Sequence, residues 1–324
     1  MKFGLKPNQP ERYTATMILD SVSPDAIRLP TMHVTMPRII LAELNTHRRL
    51  TRNSRSTRAV PTSKLIQEVS ENPYRPLYWL KNKPGMQATE AMSPSEIVMA
   101  ERAWLRAAAT AASDATLLFG LGLHKQFSGR VLEPFMFTDV LLSATEWANF
   151  MALRDDDGAQ PEIELVAQRI RDCLDSSTPK LLQPGEWHMP YIRDEDWPLI
   201  RAHLRTLYDT EDEVEERQDA AALHVSAARC ARLSYRPFNG EASIKAELER
   251  FDGLATSWPV HASPTEHQAT PDQRKANGIG GYNGWWQPED HRNFRGWRQH
   301  RALIDGETVT VMPARRHPLP NLAA

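Results

Sequence analysis

Polar and apolar positions alternate imperfectly from Ile27. The stretch IRLPTMHVTMPRIILAELN (27–45) opens in extended character, is broken by Pro30 and Pro37, and turns apolar over Ile39–Leu44. This pattern predicts a strand or two running into a helix that carries the basic stretch behind it. Asn, Ser and Thr compete with the helical backbone for hydrogen bonds, so that helix is expected to end near Thr51, leaving 51–57 as a hydroxyl-rich loop. Ser93-Pro94-Ser95-Glu96 has capping-box spacing with proline just inside; an alanine-rich body follows, and Gly120 and Gly122 end it. Ser143-x-x-Glu146 predicts a second helix start, through Trp147, Phe150 and Met151. A third helix begins around Pro161, with Ile163, Val166, Ala167, Ile170, Cys173 and Leu174 forming one stripe.

Prolines 179, 184, 190 and 198 then punctuate a connector that reads as a surface excursion or a seam. From Glu211 an acidic start and an Arg229/Arg232 finish suit the dipole of a helix reaching about Leu233. A shorter helix covers 241–254, and 278–301 is irregular, rich in Gly, Trp, Arg and His, and aromatic enough to pack on something. No internal repeat is present. Many helices and few strands imply an α+β fold.

Composition narrows the function classes. The chain has 324 residues, 25% charged, with a net charge of −2. No global basic excess supports a long phosphate track, so any anion site is local. Cys173 and Cys230 stand outside any CxxC or CxxH context, and a reduced, cytoplasmic protein is expected. The N-terminus lacks the apolar core of a signal peptide, and no apolar run is long enough for a membrane span.

The local candidate is THRRLTRNSRSTRA (46–59), which places five arginines and a histidine between His47 and Arg58. On a helix, Arg48, Arg52 and Arg55 would project within about 60° of one another. Three cations on one face need either solvent or an anion, and arginine forks suit phosphate. A solvated basic face, or a nucleic-acid patch, is the competing reading. Three other stretches bear on the choice. SGRVLEPF (128–135) sets Arg130 beside an apolar turn. Residues 145–170 carry Asn149 and Arg154 ahead of a polar loop and a helix, and HASPTEHQA (261–269) holds His261, Ser263, Glu266 and His267. The spacing of His261 and His267 is not that of a zinc pair, and no metal is expected. GxSxG, HExxH, P-loop and GxGxxG motifs are absent.

Together these stretches resemble the flavin-dependent thymidylate synthases. Against that family's R-H-R-x-x-S-x-N-E-x-S-x-R-Y, His47, Arg48, Asn53, Ser56 and Arg58 match, and Thr51 is a conservative change. Thr46, Ser54 and Ala59 replace the first Arg, the Glu and the terminal Tyr. The family's AR-x-x-LP is similar to Gly129-Arg130-Val131-Leu132-Glu133-Pro134. Its N-F-x-x-LR and AQ-x-EI are similar to Asn149-Phe150 through Leu153-Arg154, and to Ala159-Gln160 with Glu162-Ile163. Its AAR-x-S-[FY] and H-x-TP-x-EH pieces resemble Ala227-Ala228-Arg229 through Ser234-Tyr235 and His261 through His267. In the family these precede the hallmark, whereas here they follow the long helices, so the chain looks circularly permuted. Such reordering is acceptable where chain ends meet at the surface. The resemblance covers about 31–174 and 222–270.

The resemblance implies a helix-rich α+β fold with a small, mainly antiparallel sheet. It implies one catalytic domain over 1–270, with 175–215 as an insertion or connector and 271–324 as an irregular tail. The implied activity is FAD-dependent transfer of a one-carbon unit from methylene-tetrahydrofolate to the pyrimidine ring of a deoxynucleoside monophosphate, with NADPH as reductant and no cysteine nucleophile. By position, Ser56, Arg58 and Arg130 would hold the phosphate, and Arg154 would contact the pyrimidine and stabilise charge developing on it. Glu43 stands where the family has a nucleotide-binding glutamine. His47, Arg48, Asn53, Ser143, Asn149, Ser234, His261, Ser263 and Glu266 would line the flavin site. A homotetramer with shared active sites is implied too.

The replaced positions leave three outcomes open. One is methylation of dUMP, and another is a pocket that takes dCMP or leaves a hydroxymethyl group. The third is loss of catalysis, with nucleotide or flavin binding retained. A nucleic-acid-binding module using the basic loop and the Trp/Arg tail is the alternative of another class.

Overall fold

Strands β1 (Thr14–Val22) and β2 (Arg28–Pro37) pair antiparallel. They are followed by a four-residue helix α1 (Leu41–Leu44), strand β3 (Thr51–Ser54) and helices α2 (Thr62–Glu71), α3 (Pro94–Gly120) and α4 (Lys125–Ser128). Then come β4 (Phe137–Ser143), α5 (Ala148–Arg154), α6 (Pro161–Ser176), β5 (Lys180–Leu181) and α7 (Asp196–Leu204). Helices α8 (Glu211–Ala231) and α9 (Ile244–Ala255) precede the short strands β6 (Ala269–Pro271), β7 (Arg274–Ala276), β8 (Tyr282–Trp285) and β9 (Trp297–Gln299). The computed structural model describes residues 2–234, 243–255, 260–277 and 281–311. Among them no helix is long and apolar enough to cross a membrane.

The fold is α+β around a five-stranded sheet of order β3-β4-β2-β1-β5, antiparallel except for the β1/β5 edge. Along β2, Met32, Val34 and Met36 are fully buried at period two, which puts them on one face. There they join Val140 and Leu142 of β4 and the α6 stripe Ile163, Val166, Ala167 and Ile170 in the main core. The intervening His33 and Thr35 take the other face, where both meet Asp139 of β4. A second core packs α2 against the alanine ridge Ala108, Ala112 and Ala115 of α3.

Helix α3 begins as its sequence predicts: the Ser93 side chain accepts from the Glu96 N–H, and the Glu96 carboxylate accepts from the Ser93 N–H. Thr210 and Glu213 make the same reciprocal cap on α8, which the acidic start alone had signalled.

Three expectations are corrected. The basic stretch is not helical: α1 stops at Leu44, and Thr51–Ser54 pairs antiparallel with Ser143–Val140 of β4. Strand pairing with residues far along the chain satisfies the backbone groups that a local reading assigned to a loop. Ser143 does not start a helix; it ends β4, and α5 begins only at Ala148 after an N-cap at Trp147. The 175–215 connector is no bare excursion, because Met189, Ile200 and Leu204 form a core with Val214, Ala222 and Val225 of α8. The irregular, aromatic stretch 278–301 does pack on the rest of the protein: Phe294 and Trp297 are fully buried against Leu29, Leu182 and Ala269. Strand β1 and helix α2 had no counterpart in the sequence reading.

Candidate functional site

Repulsion within the basic stretch is relieved arginine by arginine. Arg49 pairs with Glu146 at 3.2 Å, and Arg55 makes a two-pronged pair with Glu68 at 2.7 and 3.0 Å. Arg52 donates to the Asn45 side chain at 2.7 Å and to the Leu50 carbonyl at 2.7 Å. Burial pushes its pKa down, opposed by the charge of Glu266. Arg48 and Arg58 are exposed, with no ion partner among the described residues. The stretch is therefore neither one cationic helix face nor an open basic track.

At its start sits a fixed guanidinium. Arg154, the last residue of α5, donates from Nε to His47 Nε2 at 2.8 Å, and its Nη1 pairs closely with Glu43 on α1. Accepting at Nε2 requires a neutral His47 with its proton on Nδ1. The surroundings enforce this: burial, then the charges of Arg154 and Arg52, push the His47 pKa down. The ring is 8% exposed and stands edge-on to Phe150, with centroids 5.0 Å apart. Two elements thus orient one arginine with a carboxylate on one prong and a neutral imidazole on another. Glu43, standing where the family has a nucleotide-binding glutamine, holds Arg154.

At the other end of the stretch lies a second polar cluster. Glu133, in the 3-10 turn Arg130–Phe135, accepts at Oε1 from Thr57 Oγ1 at 2.9 Å, Arg130 Nη1 at 3.1 Å and Arg38 Nη2 at 3.4 Å. Arg38 also donates to the Arg55 carbonyl at 2.8 Å. Burial lowers its pKa, the charge of Glu133 opposes this, and the positive charges of Arg130 and Arg55 add to the lowering. Ser56 lies half-buried between Arg55 and Thr57, and Arg130 is half exposed. The expected phosphate residues Ser56, Arg58 and Arg130 thus share a neighbourhood, while Arg38, Thr57 and Glu133 went unnoticed in the sequence. The one available signal was Glu133 standing at the leucine of the family's AR-x-x-LP.

The expected flavin-side residues divide. Asn149 on α5 and Arg48 are exposed near His47, Asn53 lies in β3 opposite Leu141, and His261 and Ser263 are exposed at the 3-10 turn Ser263–Glu266. That turn packs against β3, and the turn Arg232–Ser234 packs against β3 and β4. The two late segments therefore meet the basic stretch in space. Ser234 has its side chain outside the described residues, as does all of Tyr235.

Two assignments are corrected. Ser143 is fully buried, bonded to Thr31 Oγ1 at 2.6 Å and His267 Nδ1 at 2.9 Å. It belongs to an internal chain that continues through Thr31 to His188 Nε2 at 2.8 Å and on to Ser21 at 2.8 Å. This chain stitches β1, β2 and β4 to the late segments and cannot line an open pocket. Glu266 pairs closely with Arg301, so the C-terminal stretch already neutralises it, although burial still holds its carboxyl above the usual range. Of the expected flavin-side donors, Arg48, Asn149, His261 and Ser263 are exposed, and Ser143 is not.

Burial pushes the pKa of Cys173 and Cys230 up, which disfavours the thiolate form of each.

Among curated proteins, none matches the chain. Solved structures similar to it include two of a UMP/dUMP methylase, PolB, from Streptomyces cacaoi, one bound with 5-Br UMP and the other with 5-Br dUMP. Each is 19% identical, covers 50% of this chain and 88% or 89% of its own, and has a TM-score of 0.40 or 0.39. Residues 27–180 match the model of the thymidylate synthase complementing protein family. That span contains β2, β3, β4, the basic stretch, both arginine clusters and α6. Over residues 27–180, just under half its length, the chain is similar to the thymidylate synthase complementing protein family.

Proposed function

We propose that the protein transfers a one-carbon unit from methylene-tetrahydrofolate to the pyrimidine ring of a deoxynucleoside monophosphate, with dUMP methylation as the leading case. The observation that carries this reading is Arg154, clamped between Glu43 and neutral His47 inside the family-matched span. A guanidinium fixed on two sides stabilises negative charge developing on a pyrimidine carbonyl without reorganising during the reaction. His47 takes no proton in this arrangement; its role is to hold the arginine fork. Arg58 and Arg130 supply cations for the 5′-phosphate, and Ser56 and Thr57 supply hydroxyls. The raised thiol pKa of both cysteines agrees with a reaction that uses no cysteine nucleophile.

FAD is the cofactor that the family implies, and the chemistry it supplies when bound is hydride acceptance from NADPH and delivery to the transferred carbon. Arg48, Asn149, His261 and Ser263 would hold it. Against a nucleic-acid module stands the pairing of Arg49, Arg52 and Arg55 within the protein, which leaves no continuous basic track. Leu117, Phe119, Leu121 and Phe127 at the end of α3 and on α4 are each at least half exposed. Such apolar surface suits the subunit contacts of a homotetramer.

The test is purified protein with FAD, NADPH and methylene-tetrahydrofolate, offered dUMP and dCMP separately, with the nucleotide weighed by mass spectrometry. The expected result is a methyl gain on dUMP. Product only from dCMP, or a hydroxymethyl gain, would move the reading to an altered pocket. Unchanged mass for both nucleotides would reject catalysis.

A further inference from the structure

We propose that Glu133 is an internal anion occupying the phosphate cradle, so that nucleotide binding requires its carboxylate to be displaced. The proposal rests on the reading of Arg130 and its neighbours as the 5′-phosphate site. Three donors that could serve a phosphate, from Thr57, Arg130 and Arg38, converge on the single oxygen Oε1 of Glu133. One oxygen collecting two guanidiniums and a hydroxyl is how a phosphate oxygen is commonly held. Here the chain provides that oxygen itself, at the position where the family motif has an uncharged leucine.

The surroundings explain why a stand-in is useful. Arg38, Arg55 and Arg130 lie close enough for the latter two to lower the Arg38 pKa. Glu68 pairs with Arg55. Without Glu133, the largely buried Arg38 guanidinium would face like charges with no counterion among the described side chains, which is costly. With Glu133 in place the cradle stays ordered in the free protein. Arg130 keeps half its side chain in solvent, so an incoming anion can reach it.

The exchange has an electrostatic direction. A phosphate monoester carries about −1.5 to −2 at neutral pH and offers three oxygens, against one charge and two oxygens for the carboxylate. It can therefore win the donors, but only against the bonds Glu133 already makes. Glu133 thereby lowers affinity for nucleotides and discriminates against weaker monoanions.

Kd values for dUMP and for deoxyuridine, which lacks the phosphate, test this by calorimetry on wild type and Glu133→Gln. Glutamine keeps the shape and an acceptor oxygen but removes the charge. The expected result is dUMP binding about tenfold tighter in the variant with deoxyuridine unchanged, the scale of one ion pair's worth of competition. Glu133→Asp, which keeps the charge but shortens the reach, provides a second variant should glutamine unsettle the turn; it is expected to tighten dUMP by a smaller factor. Unchanged or weaker dUMP binding in the folded variants overturns the proposal while leaving the phosphate site standing. If neither wild type nor variants bind dUMP, the underlying site assignment falls, and the proposal with it.

Discussion

A lysine in place of Arg154 keeps the charge but cannot hold Glu43 and His47 on separate prongs. In Arg154→Lys, kcat is therefore expected to fall about hundredfold, the scale of losing one preorganised donor. The melting temperature should stay within a few degrees of wild type; equal kcat in the two proteins would remove Arg154 from the chemistry. Histidines define a second effect at this scale. Burial holds His188 and His267 neutral, with pKa values of about 3, and His300 at about 4. Unfolded histidine titrates near 6.5. Between those values the unfolded chain binds protons that the folded one refuses, so stability is complete above about pH 6.5 and drains as pH falls. By pH 5 His188 and His267 should each have cost about 2 kcal/mol. Urea unfolding at pH 7 and pH 5 measures this, and equal midpoints would contradict the buried neutral assignment.

At the scale of elements, legibility tracked locality. Helix α3 was readable because Ser93, Pro94 and Glu96 act on their own backbone, and α6 because its stripe is periodic. Strand β3 was not, since Thr51–Ser54 owes its conformation to β4, almost ninety residues on. The same holds for the site. Arg154, His47 and Arg130 were visible through motif positions, but the burial of Ser143 and the capture of Glu266 by Arg301 depend on contacts that spacing does not encode. Glu133 lay in view as a departure from a motif, but its convergence with Arg38 and Thr57 required the fold. The C-terminal strands give the element-scale prediction. Trp297 on β9 is fully buried with its Nε1–H donating to the Ile27 carbonyl at 3.1 Å. Trp297→Ala is expected to cost about 3–5 kcal/mol. Chemical denaturation should show one transition at lower denaturant; an unshifted midpoint would make the segment a dispensable tail after all.

Over the whole molecule, the segments after residue 222 complete what residues 27–180 begin. His267 closes the hydrogen-bonded chain that starts at Ser21, and the turn at Ser263 packs beside the basic stretch. Segments far apart in the chain are thus adjacent at the basic stretch. The central claim is that this assembly moves a one-carbon unit onto a pyrimidine nucleotide. Its most direct test supplies methylene-tetrahydrofolate with a heavy-carbon methylene, together with FAD, NADPH and dUMP, and locates the label by mass spectrometry. The account predicts the heavy carbon as a methyl group on the pyrimidine ring; a nucleotide recovered without label, from protein that binds dUMP, would contradict it.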